Sequence, residues 1–105
     1  MPMDKETVID RVRQYSDLVR QNFNVKKVVL YGSYAKGTAR EDFSDIDVAV
    51  ILDKIDDDIL ASEARLFRLR RNIDVRIEPV LLEEKDGTGF LDEILKTGQI
   101  IYSSD

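Results

Sequence analysis

Neither cysteine nor histidine occurs in this chain. Without cysteine there are no disulfides and no thiolate chemistry. Without histidine as well, Ser-His-Asp and Cys-His nucleophile systems are excluded, as are Cys/His zinc sites. Any catalysis has to be built from carboxylates, hydroxyls, lysine and arginine. Positive charge is also in short supply: 16 Lys and Arg stand against 21 Asp and Glu, a net charge of −5 and a pI near 4.8. Such a chain has no global positive field, which argues against broad nucleic-acid binding but leaves room for one nucleotide held through metal. No apolar run is long enough to cross a bilayer and no signal-peptide pattern is visible, so the expected location is the cytoplasm, with no membrane partner. What is present is a core: 43% of the 105 residues are hydrophobic, enough for a single domain spanning 1–105.

Hydrophobic periodicity predicts a helix over 4–22, with Val8, Ile9, Val12, Tyr15, Leu18 and Val19 at helical spacing, Asp4 as N-cap and Glu6 in the first turn. Arg11, Arg13 and Arg20 read as a solvated face of that helix. Short strands are expected at 26–31 and 45–52, both apolar enough for burial on two faces. A helix follows the acidic turn at 53–58, capped by Asp57 or Asp58, with Ile59, Leu60, Ala64 and Phe67 as its apolar stripe. Arg65, Arg68, Arg70 and Arg71 form the densest basic feature. They suit a helix C-terminus, and they could also meet an anionic partner surface or a triphosphate tail. A third strand is expected over 73–77, with Pro79 confining it to an edge, a bulge or an early end. A short amphipathic helix with Phe90, Leu91, Ile94 and Leu95 stops at Gly98, and a last strand covers 100–102. The order α-β-(turn)-β-α-β-α-β predicts an α/β (α+β) domain with helices packed on a small mixed sheet.

Chemistry concentrates in one stretch, from Leu30 to Leu52. An apolar strand ends at Gly32-Ser33, a polar loop follows, and the next strand is led by Asp45-Ile46-Asp47. Side chains at i and i+2 on a strand share a face, so Asp45 and Asp47 bring two negative charges together. Such a pair repels unless a cation lies between, and Mg²⁺ is the usual ion where a few carboxylates and a phosphate supply the ligands. Glycine after a strand lets backbone approach an anion closely. On the third strand Asp74, Arg76 and Glu78 are expected to share a face.

Gly32-Ser33, Lys36-Gly37 and Ser44-Asp45-Ile46-Asp47-Val48 together resemble the signature of the nucleotidyltransferase superfamily that includes DNA polymerase β, and within it the minimal, antitoxin-like nucleotidyltransferases. The resemblance runs from Val28 to Tyr102. It implies the nucleotidyltransferase fold and transfer of a nucleoside monophosphate, AMP from ATP being the expected case, to a hydroxyl. It also implies two Mg²⁺ ions held by three carboxylates: Asp45, Asp47 and, as the closer match on the third strand, Asp74, with Glu78 the substitute if that strand is shifted. Asp74 would then serve the acceptor hydroxyl as general base. Gly32 and Ser33 would bind the β/γ phosphates, and Lys36 and Arg40 would neutralise phosphate charge. Larger members of the superfamily add a helical acceptor-binding domain, and none is expected here. The acceptor is therefore expected on a protein partner of the helical HEPN type found in toxin–antitoxin pairs, or in a homodimer. The alternative is a non-catalytic antitoxin-like subunit that masks its partner.

Overall fold

The structure is a computed structural model and describes residues 4–32, 35, 45–55 and 58–104. Helix α1 spans Lys5–Asn22 and is started by Asp4, whose carboxylate accepts from the Thr7 amide at 2.8 Å. Its inner stripe is Val8, Val12, Tyr15, Ser16 and Val19, all buried. Strand β1 (Val25–Tyr31) and strand β2 (Ile46–Leu52) form the centre of a four-stranded sheet. Helix α2 covers Ile59–Leu69, with Asp58 as N-cap accepting from the Leu60 amide at 2.9 Å, and a 3-10 turn at Arg70–Asn72 continues it. Strand β3 is Ile77–Glu83, helix α3 is Phe90–Thr97 and strand β4 is Gln99–Ser103.

The strand order is β3-β2-β1-β4. β1 runs antiparallel to β2 and to β4, while β2 and β3 are parallel, joined through α2. The sheet is therefore mixed, as the alternation of apolar runs and helical patterns predicts. One face carries Val28, Leu30, Ile46, Val48, Val50, Ile77 and Leu81 and is covered by α1 and by Leu66 of α2. The other carries Val29, Ala49 and Ile51 and packs on Leu91 and Ile94 of α3. The central strands are buried on both faces, which is why they read as unbroken apolar runs. Gly98 lets α3 turn directly into β4: a Cβ there would lie 2.8 Å from the Leu30 carbonyl oxygen and 2.7 Å from that of Ile94.

Two sequence expectations are corrected. The third strand is Ile77–Glu83, not 73–77. The Asp74 side chain closes a turn instead, its Oδ1 accepting from the Arg76 amide at 2.9 Å while the Ile77 amide donates to the Asp74 carbonyl at 3.2 Å. Pro79 lies inside β3, tolerated because β3 is an edge strand and proline's missing donor can face outward. The second correction concerns the rotation of α2. Ser62 and Leu66 are buried, with Leu69 and Ile73 packed partly against the core, whereas Leu60 is 73% exposed and Ile59 and Ala64 face outward. The helical period is the expected one; the phase differs. The buried Tyr15 hydroxyl donates to the Leu66 carbonyl at 2.7 Å and so pins that side of α2 against α1.

Candidate active site

Side-chain alternation places Tyr31, Asp47 and Glu78 on the α3 face of the sheet, at the end where β2 and β3 begin. Tyr31 pairs with Asp47 across β1 and β2, and Asp47 pairs with Glu78 across β2 and β3. Asp45 is exposed and precedes β2 by one residue. Phe90 at the start of α3 meets the Tyr31 ring edge-on, with centroids 6.0 Å apart.

Gly32 closes β1 with φ of +75°, a conformation that side-chain-bearing residues avoid. A Cβ there would also collide with Asp47 Oδ2 and lie 3.1 Å from Asp47 Cγ. Glycine is thus required twice, by the turn and by the carboxylate packed against it. Ser33, Lys36, Arg40 and Ser44 lie outside the described residues.

The electrostatics follow from this crowding. Burial raises the pKa of Asp47 above its ordinary value, and the charges of Asp45 and Glu78 raise it further. The Tyr31 hydroxyl is pushed up in the same way, by burial first and then by Asp47 and Glu78. Three carboxylates, Asp45, Asp47 and Glu78, therefore act on one small region.

Asp74 lies elsewhere. Its carboxylate is only 6% exposed and is taken up by Arg76, through Nε at 3.1 Å and Nη2 at 3.0 Å, and by Arg11 Nη1 at 3.3 Å. Burial pushes its pKa up, but the Arg76 hydrogen bonds and the charges of Arg76 and Arg11 outweigh that and hold it below the ordinary value. The side chain ties α1 to the turn before β3. Glu78, 42% exposed, accepts from Arg70 Nη1 at 3.3 Å, and the same nitrogen donates to the Ile77 carbonyl at 2.8 Å. The sequence names Glu78 only as an alternative and is silent on Arg70 as its partner. Period-two alternation counted from Ile77 would have found Glu78. No local signal distinguishes Arg70 from the other arginines of its cluster.

Residues 13–105 match the family described as Polymerase beta, Nucleotidyltransferase. The chain belongs to this family. Among solved structures, a protein from Sulfolobus solfataricus named as a candidate nucleotidyltransferase superposes with a TM-score of 0.69 at 20% identity, covering 95% of this chain and 84% of that one. A toxin–antitoxin structure with AMP-PNP gives 0.61 at 22% identity, with 98% and 76% covered. A mutant of the toxin–antitoxin MntA-HpeT, in which two aspartates two positions apart are glutamate, gives 0.57 at 18% identity, again with 98% and 76% covered. These likenesses establish the nucleotidyltransferase fold. No curated protein matches the chain.

As a nucleotidyltransferase the chain belongs to a family that generally works on nucleoside triphosphates with Mg²⁺. As placed, no three acidic side chains among the described residues stand close enough to enclose an ion. The donor chemistry nonetheless fits. Carboxylate oxygens are what a hard divalent cation takes, and Asp47 carries the mutual repulsion that such a cation relieves.

Proposed function

We propose that this nucleotidyltransferase transfers a nucleoside monophosphate, with ATP as the expected donor, to a hydroxyl group on a protein partner. The observation that carries the reading is the setting of Asp47: pressed against the turn at Gly32, flanked by Asp45 and Glu78, and made harder to ionise by burial and by both neighbours. Asp45 and Asp47 would hold Mg²⁺, and Glu78, in place of Asp74, would be the third ligand, because it stands beside Asp47 in the register of β2 and β3. Bound Mg²⁺ would neutralise these carboxylates and polarise the phosphoryl group and the attacking hydroxyl. The backbone at Gly32, with Ser33, Lys36 and Arg40, would take the triphosphate. Glu78 would receive the proton of the acceptor hydroxyl as its oxygen bonds to the α-phosphorus and pyrophosphate departs. Further support comes from neighbours of the same fold: one is described with AMP-PNP, and another bears paired substitutions at the i, i+2 spacing of Asp45 and Asp47.

The test is transfer of label from α-labelled ATP, with Mg²⁺, to a helical HEPN-type protein co-expressed with this chain as its candidate partner. Native chain and Asp74→Asn are expected to transfer label, while Asp47→Asn and Glu78→Gln are expected to be inactive though folded. Activity surviving in Glu78→Gln and lost in a folded Asp74→Asn would return the third ligand to Asp74. Neutralisation of the partner with no label in any sample would favour a non-catalytic masking subunit.

A further inference from the structure

Helix α2 has a second apolar stripe that the fold does not use. Its inner side, Ser62 and Leu66, is buried against the sheet and α1. Its outer side carries Leu60 and Ala64 and leads to Phe67. Val75, in the turn before β3, extends the strip and is 65% exposed. Ala64, Phe67 and Val75, with Arg68, Arg70 and Arg71, line an open groove of about 540 Å³. Arg68 and Arg71 are exposed and form no ion pair or side-chain hydrogen bond among the described residues. An apolar strip rimmed by free guanidinium groups is costly to leave in water and is the composition of an interface.

The groove is also placed to matter. Arg70, one of its walls, also reaches Glu78 Oε1 at 3.3 Å, so one side chain borders both the groove and the carboxylate assigned to the acceptor. We propose that the outer face of α2 and Val75 dock an acidic amphipathic helix of the acceptor protein. Leucine-like side chains would fill the strip, and carboxylates would pair with Arg68 and Arg71. This rests on the reading of the chain as acting on a protein partner. Charge decides against two other occupants. A second copy related by a two-fold axis would set arginine against arginine. A nucleic acid would meet a net charge of −5 and an apolar strip. From Leu60 to Arg71 the face is about 16 Å long, suited to a few turns of helix in a helix-in-groove contact.

The experiment co-expresses the chain with the same HEPN-type candidate partner and measures the complex by co-purification and calorimetry. The variants are Leu60→Glu, Arg68→Glu/Arg71→Glu and, as a control with the same change in net charge, Arg13→Glu/Lys96→Glu. Mg²⁺–nucleotide binding by each variant reports whether the site and fold are intact. The expected result is a loss of affinity of about tenfold or more in the first two variants and little change in the control, with nucleotide binding retained in all. A native complex unaffected by Leu60→Glu and by Arg68→Glu/Arg71→Glu overturns the docking face while leaving the partner reading standing. A native chain that forms no complex fails the partner reading and the docking face with it. Retention of nuclease-sensitive RNA in place of protein, lost in Arg68→Glu/Arg71→Glu, overturns the proposal in favour of a nucleic-acid surface.

Discussion

Replacing Asp47 by asparagine should make the protein more stable while removing its activity. Asp47 lies opposite Glu78 between parallel strands, is half-buried, and has Asp45 two residues away. A like-charge pair directly across a sheet costs roughly 0.2–1 kcal/mol, and burial of the carboxylate acts in the same direction. Asparagine keeps the shape and removes the charge, so the gain at neutral pH should be about 0.5–1 kcal/mol, or roughly 2–6 °C in Tm for a domain of this size. The pH dependence carries a definite sign. Asp47 holds its proton more tightly when folded than its ordinary pKa of 3.8. The native state therefore binds more protons than the unfolded chain over the window between that value and the raised one. Stability of the native protein falls as pH rises through this window, and the asparagine variant does not share the fall. Thermal melts followed by circular dichroism from about pH 3 to about pH 8, with chelator present, should show two curves that coincide in acid and separate toward neutrality. Added Mg²⁺ should raise the native Tm and leave that of the variant nearly unchanged. A variant no more stable than the native chain at neutral pH, or one whose advantage is as large in acid, would refute the claim that Asp47 is held in a repulsive site.

Gly32→Ala should destabilise by about 1–2 kcal/mol through its positive φ alone, and by more through its collision with Asp47, so part of the loss should be recovered in an Asp47→Ala background by urea denaturation. Tyr15→Phe removes the buried hydrogen bond to the Leu66 carbonyl and should cost about 1 kcal/mol; a loss of only a few tenths would mean that the bond does not hold α2 in place. Asp74→Asn breaks the pairs with Arg76 and Arg11 and should cost about 1–3 kcal/mol at neutral pH. Because folding depresses the Asp74 pKa, its contribution is present above the ordinary value of 3.8 and is lost as pH falls through the folded value, so the difference from the native protein should vanish in acid.

Local chemistry was enough to read most of the elements. Asp4 and Asp58 are capping residues with amides in reach, Gly32 and Gly98 stand where backbone must turn or pass closely, and the apolar runs of β1 and β2 announce strands buried on both faces. The Asp45-Ile46-Asp47 spacing puts two carboxylates together without any knowledge of the tertiary fold. Local pattern misplaces the third strand because Ile73 to Ile77 alternates strictly, whereas Ile77 to Glu83 is interrupted by Pro79 and by the apolar run Val80-Leu81-Leu82. The competing signal, an aspartate able to close a turn through the amide two residues on, is equally local and won. Helix α2 has apolar residues on two sides, so periodicity located the helix but could not choose which side faces in.

The sequence by itself determined the kind of chemistry available, the element order and the paired aspartates, because each depends on residue type and short spacing. Only the tertiary structure decided that Glu78 and not Asp74 stands beside Asp47, and that Leu60 and Val75 stay exposed. Both outcomes depend on register and rotation across the long β2–α2–β3 crossover. Those are set by packing between residues distant in the chain, where no local pattern reaches.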